Sequence, residues 1–184
     1  MTFQYFFFDT YIGYFLQALP IALAVSAVYG YFRFRKDKEM GISCKLLSCI
    51  FVCYMTGLVC LTVGLDLMRA CWFELIYHMD SGTEIHFFSG EFDLVPDFFN
   101  HLSRENIGNF AMFLPFGILH PLSRARPTWK NSIITGFFVV VAIEVMQPIF
   151  GRSFDMNDII LNMLGIVVSA SLFTVFKYAL KKRD

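Results

Sequence analysis

Six polar or ionisable side chains, Glu144, Gln147, Arg152, Asp155, Asp158 and Asn162, stand at the junction of two long apolar runs, Ile133–Phe150 and Ile159–Ala179. Charge at that position is costly unless it is paired or used, so chemistry is expected here first. Three carboxylates, one guanidinium and two amides can do three kinds of work. The guanidinium can pair with a phosphate or a carboxylate while the amides, with Asn109 from an earlier segment, make neutral hydrogen bonds. Glu144 or Asp155 can act as a general base beside Arg152 as an electrostatic stabiliser. Asp155 and Asp158 can hold a divalent cation, because hard cations prefer carboxylates. A purely structural cluster would instead have Arg152 paired with Asp155 or Glu144, Asp158 capping a helix, and Asn109 and Asn162 bridging helices for about 1 kcal/mol each. Packing alone seldom needs three acids against one arginine, since surplus buried charge is unfavourable. The set is therefore read as a site.

Several reaction classes are excluded. There is no G-x-S-x-G, no HExxH and no Ser-Lys or Cys-His pairing at the junction, which leaves acid/base or metal-assisted chemistry as the enzymatic option. Transport through Glu144 would need internal repeats or a continuous polar path, and neither is present. The formal net charge is +0, so nucleic acid is not an expected partner. No cofactor is called for. His78, His86 and His101 are too scattered in sequence to make a metal site.

The elements that must position these residues belong to a membrane. The chain is 57% hydrophobic with 23 Phe among 184 residues and a mean hydropathy of +0.57, more than a water-soluble core requires. The apolar stretches predict a single all-α integral membrane domain over 1–184, a bundle of about five transmembrane helices. The expected spans are Tyr11–Phe32, Leu46–Leu65 with an extension to Phe73, Asn106–Leu122, Ser132–Phe150 and Ile159–Tyr178. The third is the shortest and contains Pro115. The first lacks a basic segment before it and a small-residue cleavage pattern after it, and is read as an uncleaved helix.

The flanking charges set the orientation. Arg33, Arg35, Lys36, Lys38 and Lys45 follow the first span, Arg124, Arg126 and Lys130 the third, and Lys177, Lys181, Lys182 and Arg183 the last. These are twelve of the 15 basic residues, against Arg69, Arg104 and Arg152 on the other side. The positive-inside rule then places the N-terminus outside, the C-terminus in the cytoplasm and the polar junction facing outward. Residues 66–105 become an extracytoplasmic interfacial loop, rich in Phe and acids, with a lid over the junction as the alternative reading. Cys49, Cys53 and Cys60 recur at helical spacing and, in a total of five, read as small packing residues rather than a disulfide framework.

Helical faces carry the rest. At 100° per residue, Asp158, Asn162, Gly165 and Ser169 share one stripe, and Asn106, Asn109, Gly117 and His120 another. Small residues on both let the helices approach closely. Glu144 and Gln147 lie one turn apart, with Glu144 roughly 9 Å below its helix end and Asn109 and Asn162 roughly 5 Å below theirs. The three faces are expected to meet.

Asn109, Phe113, Pro115, Gly117, Glu144, Gln147, Arg152, Asp155, Asp158, Asn162 and Gly165 form an ordered set that resembles the VanZ-like family of small multipass bacterial membrane proteins. The pattern is an Asn, then F-x-P-x-G, E-x-x-Q and R-x-x-D-x-x-D-x-x-x-N-x-x-G, within a likeness that runs from Asp93 to about Ser169, with 106–169 as its core. Where members often show Asn-Leu-x-Pro-Phe, this chain has Asp93-Leu94-Val95-Pro96-Asp97-Phe98. The resemblance implies a multi-pass protein of the cell membrane in a Gram-positive type envelope, and a possible tie to reduced susceptibility to teicoplanin-type lipoglycopeptides. The function expected is a binding factor. Its outer-leaflet pocket, made of Asn109, Glu144, Gln147, Arg152, Asp155, Asp158 and Asn162, would take a membrane lipid headgroup, a lipid-linked cell-wall precursor or a lipoglycopeptide tail. The alternative is a membrane-embedded enzyme acting on a lipid-linked substrate.

Overall fold

A computed structural model describes residues 2–82, 87–99, 103–124 and 128–181. His86, His101, Arg126, Lys182 and Arg183, which enter the sequence reading, lie outside that set. The described chain is built of helices: α1 (Phe3–Phe8), α2 (Tyr11–Lys36), α3 (Ile42–Thr62), α4 (Leu65–Tyr77), α5 (Arg104–Leu122), α6 (Trp129–Met146) and α7 (Met156–Lys181). Two short strands, β1 (Phe92–Asp93) and β2 (Phe154–Asp155), pair in parallel. Most helices begin on a hydroxyl. Thr10 accepts from the Gly13 N–H, Ser103 from Asn106 and Thr128 from Asn131, each satisfying a donor that the first helical turn leaves open.

Four helices are long and apolar enough to cross a membrane by length and composition, within Tyr11–Lys36, Ile42–Thr62, Trp129–Phe150 and Met156–Ala179. The remaining expected span, Asn106–Leu122, is present as α5 but is not one of the four. Arg104, Glu105, Asn106, Asn109 and His120 dilute its apolar character. It nevertheless runs along the bundle. Tyr54 of α3 donates its hydroxyl to the Met112 carbonyl, and Ser48, lower on α3, donates to the Ser123 carbonyl beyond the end of α5.

Three other boundaries differ from expectation. The second span ends at Thr62, Gly64 breaks the chain, and Leu65–Tyr77 becomes the separate helix α4. The first part of the 66–105 stretch, as far as Tyr77, is therefore helical. The last span begins at Met156 rather than Ile159, because Asp155 stands at its cap position.

Packing divides the bundle in two. Helices α2 and α3 form an antiparallel pair in which Ser26 donates to the Cys49 carbonyl and Gly30 faces the Cys49 thiol. All five cysteines are free. Helices α5 and α7 lie side by side and parallel. A methyl group at Gly117 would sit 2.6 Å from the Ala170 nitrogen, and one at Gly165 would sit 2.4 Å from the Phe110 carbonyl oxygen, so only glycine permits this approach. Leu58, Phe113, Phe116, Val140, Ile143 and Ile166 close the core between α3, α5, α6 and α7.

Candidate functional site

The last turn of α6, the 3-10 turn Gln147–Phe150 after it and the first turn of α7 bring the expected residues to one end of the bundle. Glu144 is 1% exposed. One of its oxygens accepts from Gln147 Nε2 at 3.4 Å and the other from the Asp155 backbone N–H at 3.5 Å. Both contacts are long for a group whose burial is so costly. Gln147 is itself buried, and its carbonyl accepts from the Arg152 N–H at 3.0 Å.

Asp155 serves α7. Its carboxylate accepts from the Asn157 N–H at 2.7 Å, the arrangement of a helix cap. Asp158, in the first turn, accepts from the Asn109 side-chain amide, so the expected faces of α5 and α7 do meet there. Asn162 lies one turn deeper and is buried. Its Oδ1 has no donor among the described residues.

Arg152 does something that side-chain pattern does not foretell. Its Nη1 donates to the backbone carbonyl of Thr62 at 2.5 Å and, more weakly, to Leu61 at 3.4 Å. These are carbonyls that the C-terminus of α3 leaves open. The described ion pairs join Arg33 with Asp37 and Arg69 with Asp9 and Asp66, and none includes Arg152. Pairing of Arg152 with Asp155 or Glu144 is thus not what the structure shows.

Residues 87–99 lie across this cluster. The Phe88 N–H donates to the Ile149 carbonyl at 3.1 Å, and the Phe154 N–H to Glu91 at 2.8 Å. In the parallel bridge Phe92 is in register with Phe154 and Asp93 with Asp155. Gly90 presses against the Arg152 backbone so closely that a Cβ would come within 1.9 Å of its carbonyl oxygen. Asn157, which sequence reasoning passed over, ties the far end. Its Oδ1 accepts from the Asp97 and Phe98 N–H groups at 2.9 and 3.2 Å, and its Nδ2 donates to the Asp97 carboxylate at 3.0 Å. The stretch where this chain departs from the family pattern is therefore the one Asn157 holds. Gly90 among aromatic and acidic residues was the only sequence sign of so close an approach.

His120, expected on the same face as Asn109, sits toward the other end of α5. Its Nδ1 is 2.9 Å from Ser132 Oγ and its Nε2 is 3.3 Å from Arg124 Nη2. No grouping of three or more His, Cys, Asp or Glu side chains among the described residues has the geometry to hold a metal ion. Asp155 Oδ1 is engaged as a cap and Asp158 Oδ1 by Asn109. The cluster is acceptor-rich, with Glu144, Gln147 and Asn162 buried and a single guanidinium at its edge.

A family model described as VanZ/LLP1 matches residues 51–177, a stretch that contains every residue of the cluster. Comparison with curated proteins and with solved structures gives no match.

Proposed function

The chain belongs to the VanZ/LLP1 family, and on that premise we propose that it is a multi-pass protein of the cell membrane whose polar cluster faces outward and binds a lipid headgroup. Helix α5 is counted as a fifth crossing in this reading, and the basic flanks after α2, α5 and α7 support a cytoplasmic position for those ends. The observation that carries the proposal is Glu144, 1% exposed yet served among the described residues only by contacts of 3.4 and 3.5 Å. A carboxyl group so enclosed and so poorly satisfied is better explained by a partner that supplies hydroxyl or amide donors than by packing. The unpartnered Asn162 acceptor, a turn deeper on α7, supports the same reading.

Lipid headgroups and lipid-linked cell-wall precursors offer such donors at the right depth. A lipoglycopeptide likewise joins a polar head to an acyl tail, so lowered susceptibility to teicoplanin-type antibiotics is the cellular readout proposed for the site.

The test is native mass spectrometry of protein released directly from membranes. The wild type is expected to carry a lipid adduct that Glu144→Gln loses while keeping its melting temperature. Absence of any adduct from the wild type would sink the proposal. Loss of the adduct together with loss of folding would show that Glu144 is a brace, since breaking a structural buried contact costs about 3–5 kcal/mol.

A further inference from the structure

Toward the other end of α5 from the polar cluster, a pocket of about 210 Å³ lies between the close of that helix and the first two turns of α6. His120 and Arg124 line it from one side, and Thr128, Asn131 and Thr135 from the other. Among the described residues no carboxylate lines it. His120 is about 16 Å along α5 from Asn109, so this pocket and the cluster share no residue.

His120 forms the floor. It is 2% exposed, and its ring stacks on Phe116 with centroids 5.3 Å apart and meets Phe51 edge-on at 5.5 Å. Its Nδ1 and Nε2 reach Ser132 Oγ and Arg124 Nη2. One assignment of protons satisfies this chain. A guanidinium only donates, so Nε2 accepts from Arg124. The Nδ1–H then donates to Ser132 Oγ, whose hydroxyl donates to the Thr128 carbonyl at 3.3 Å. A ring fixed on both faces and at both nitrogens thus holds the guanidinium by one N–H and leaves the others unused.

Arg124 makes no ion pair among the described residues. The pocket therefore carries a positive charge that no acid offsets. Thr128 Oγ1 accepts from the Asn131 N–H at 3.4 Å, which leaves its own hydroxyl proton to donate, and the Asn131 amide and the Thr135 hydroxyl add further donors. A guanidinium is well matched to an oxyanion, and one already held in place loses less freedom on binding than a free surface arginine. Donors that come from both sides of the pocket suit the tetrahedral oxygens of a phosphate better than the planar pair of a carboxylate.

We propose that this pocket is a second binding site, which takes a phosphate-class oxyanion on Arg124, Thr128, Asn131 and Thr135, with His120 as the residue that positions the guanidinium. In the five-crossing reading it stands at the cytoplasmic face, where the phosphate comes from the headgroup of an inner-leaflet phospholipid or from a free phosphate compound. The site stands whether or not the cluster at the far end binds a headgroup.

Purified full-length protein in detergent tests it, titrated by calorimetry at constant ionic strength with inorganic phosphate, glycerol 3-phosphate and acetate, and by native mass spectrometry with dioleoyl phosphatidate and dioleoylglycerol. Phosphate probes are expected to bind saturably and at least about tenfold more tightly than acetate. Arg124→Gln, at an exposed position, should weaken them at least about tenfold, the scale of a lost charge-assisted contact. Lys36→Gln removes one charge from α2 outside the pocket and should change binding less than about twofold. His120→Leu should weaken phosphate, and His120→Gln, which keeps an acceptor for Arg124 and a donor for Ser132, should restore most of it. Phosphatidate bound more tightly than both glycerol 3-phosphate and dioleoylglycerol would assign the phosphate to a phospholipid, and glycerol 3-phosphate bound as tightly as phosphatidate would assign it to a free compound. The site is overturned if no soluble phosphate binds and phosphatidate binds no better than dioleoylglycerol, if acetate matches phosphate, or if Lys36→Gln loses as much as Arg124→Gln.

Discussion

Substituting alanine for Gly117 should loosen the bundle at the α5–α7 contact, and alanine for Gly108 on the same helix should not. A Cβ at Gly117 would lie 2.1 Å from Ser169 Oγ and 2.6 Å from both the Ala170 nitrogen and the Ile166 carbonyl oxygen. The hydroxyl can rotate away, but the two backbone atoms cannot. They fall 0.8 Å short of the 3.4 Å at which ordinary contact begins, and α5 and α7 must part by about that distance. Overpacking of this kind costs about 1–3 kcal/mol. With about 2–4 °C per kcal/mol for a chain of this length, the melting temperature should fall by roughly 2–12 °C. A methyl group at Gly108 would meet nothing within 4 Å, so its alanine variant gains only helix propensity, up to about 1 kcal/mol. That gain is common to both variants, and the difference between their melting temperatures in one detergent isolates the clash. Adding Ser169→Ala to Gly117→Ala should restore little, because the backbone contacts remain. If Gly117→Ala melts at or above Gly108→Ala, the close parallel packing of α5 on α7 is wrong. The Asn109–Asp158 contact, about 12 Å along α5 from Gly117, would then lose its positioning argument as well.

Asn157→Ala should release the 92–98 segment, removing two accepted bonds and one donated bond at a cost of about 1–3 kcal/mol. Hydrogen exchange at Asp97 and Phe98 should accelerate, and unchanged protection there would refute the tie. Asn157→Asp should be worse, since it keeps the acceptor but sets a second carboxylate against Asp97. In a background lacking the five native cysteines, Lys36→Cys and Lys130→Cys should label from the cytoplasm and Ser81→Cys and Ser153→Cys from outside. Labelling of positions 36 and 153 from the same side would overturn the five-crossing orientation.

Helical periodicity made the faces legible. The stripes of Asn109 and Gly117 on α5 and of Asp158, Gly165 and Ser169 on α7 pack as their spacing implies, because a period of 3.6 relates residues along one helix without reference to anything else. What stayed hidden depends on backbone. Arg152 seeks the carbonyls of Leu61 and Thr62, and a carbonyl has no signature in side-chain sequence. The β1–β2 bridge is two residues long on each side, too short for an alternating pattern to show. Asn157 sat inside the recognised motif, but three bonds to a segment some 60 residues earlier cannot be read from its immediate neighbours. The break at Gly64 is likewise set by where α4 must turn to meet α2, through Trp72 with Gln17, and the end of α1, through Arg69 with Asp9.

The pairing of α5 with α7 also orders the protein's biogenesis. Helices α2 and α3 are consecutive and touch directly, so they can associate as soon as both leave the ribosome. Helix α5 is less apolar, and its partner is synthesised two helices later. Until Met156–Lys181 emerges, Asn109 has no Asp158 and Gly117 has no neighbour to close against, so α5 depends on a segment not yet made. Chains interrupted before α7 are therefore expected to insert their first helices and then fall to membrane proteolysis. The polar cluster comes into being only once α7 has been made.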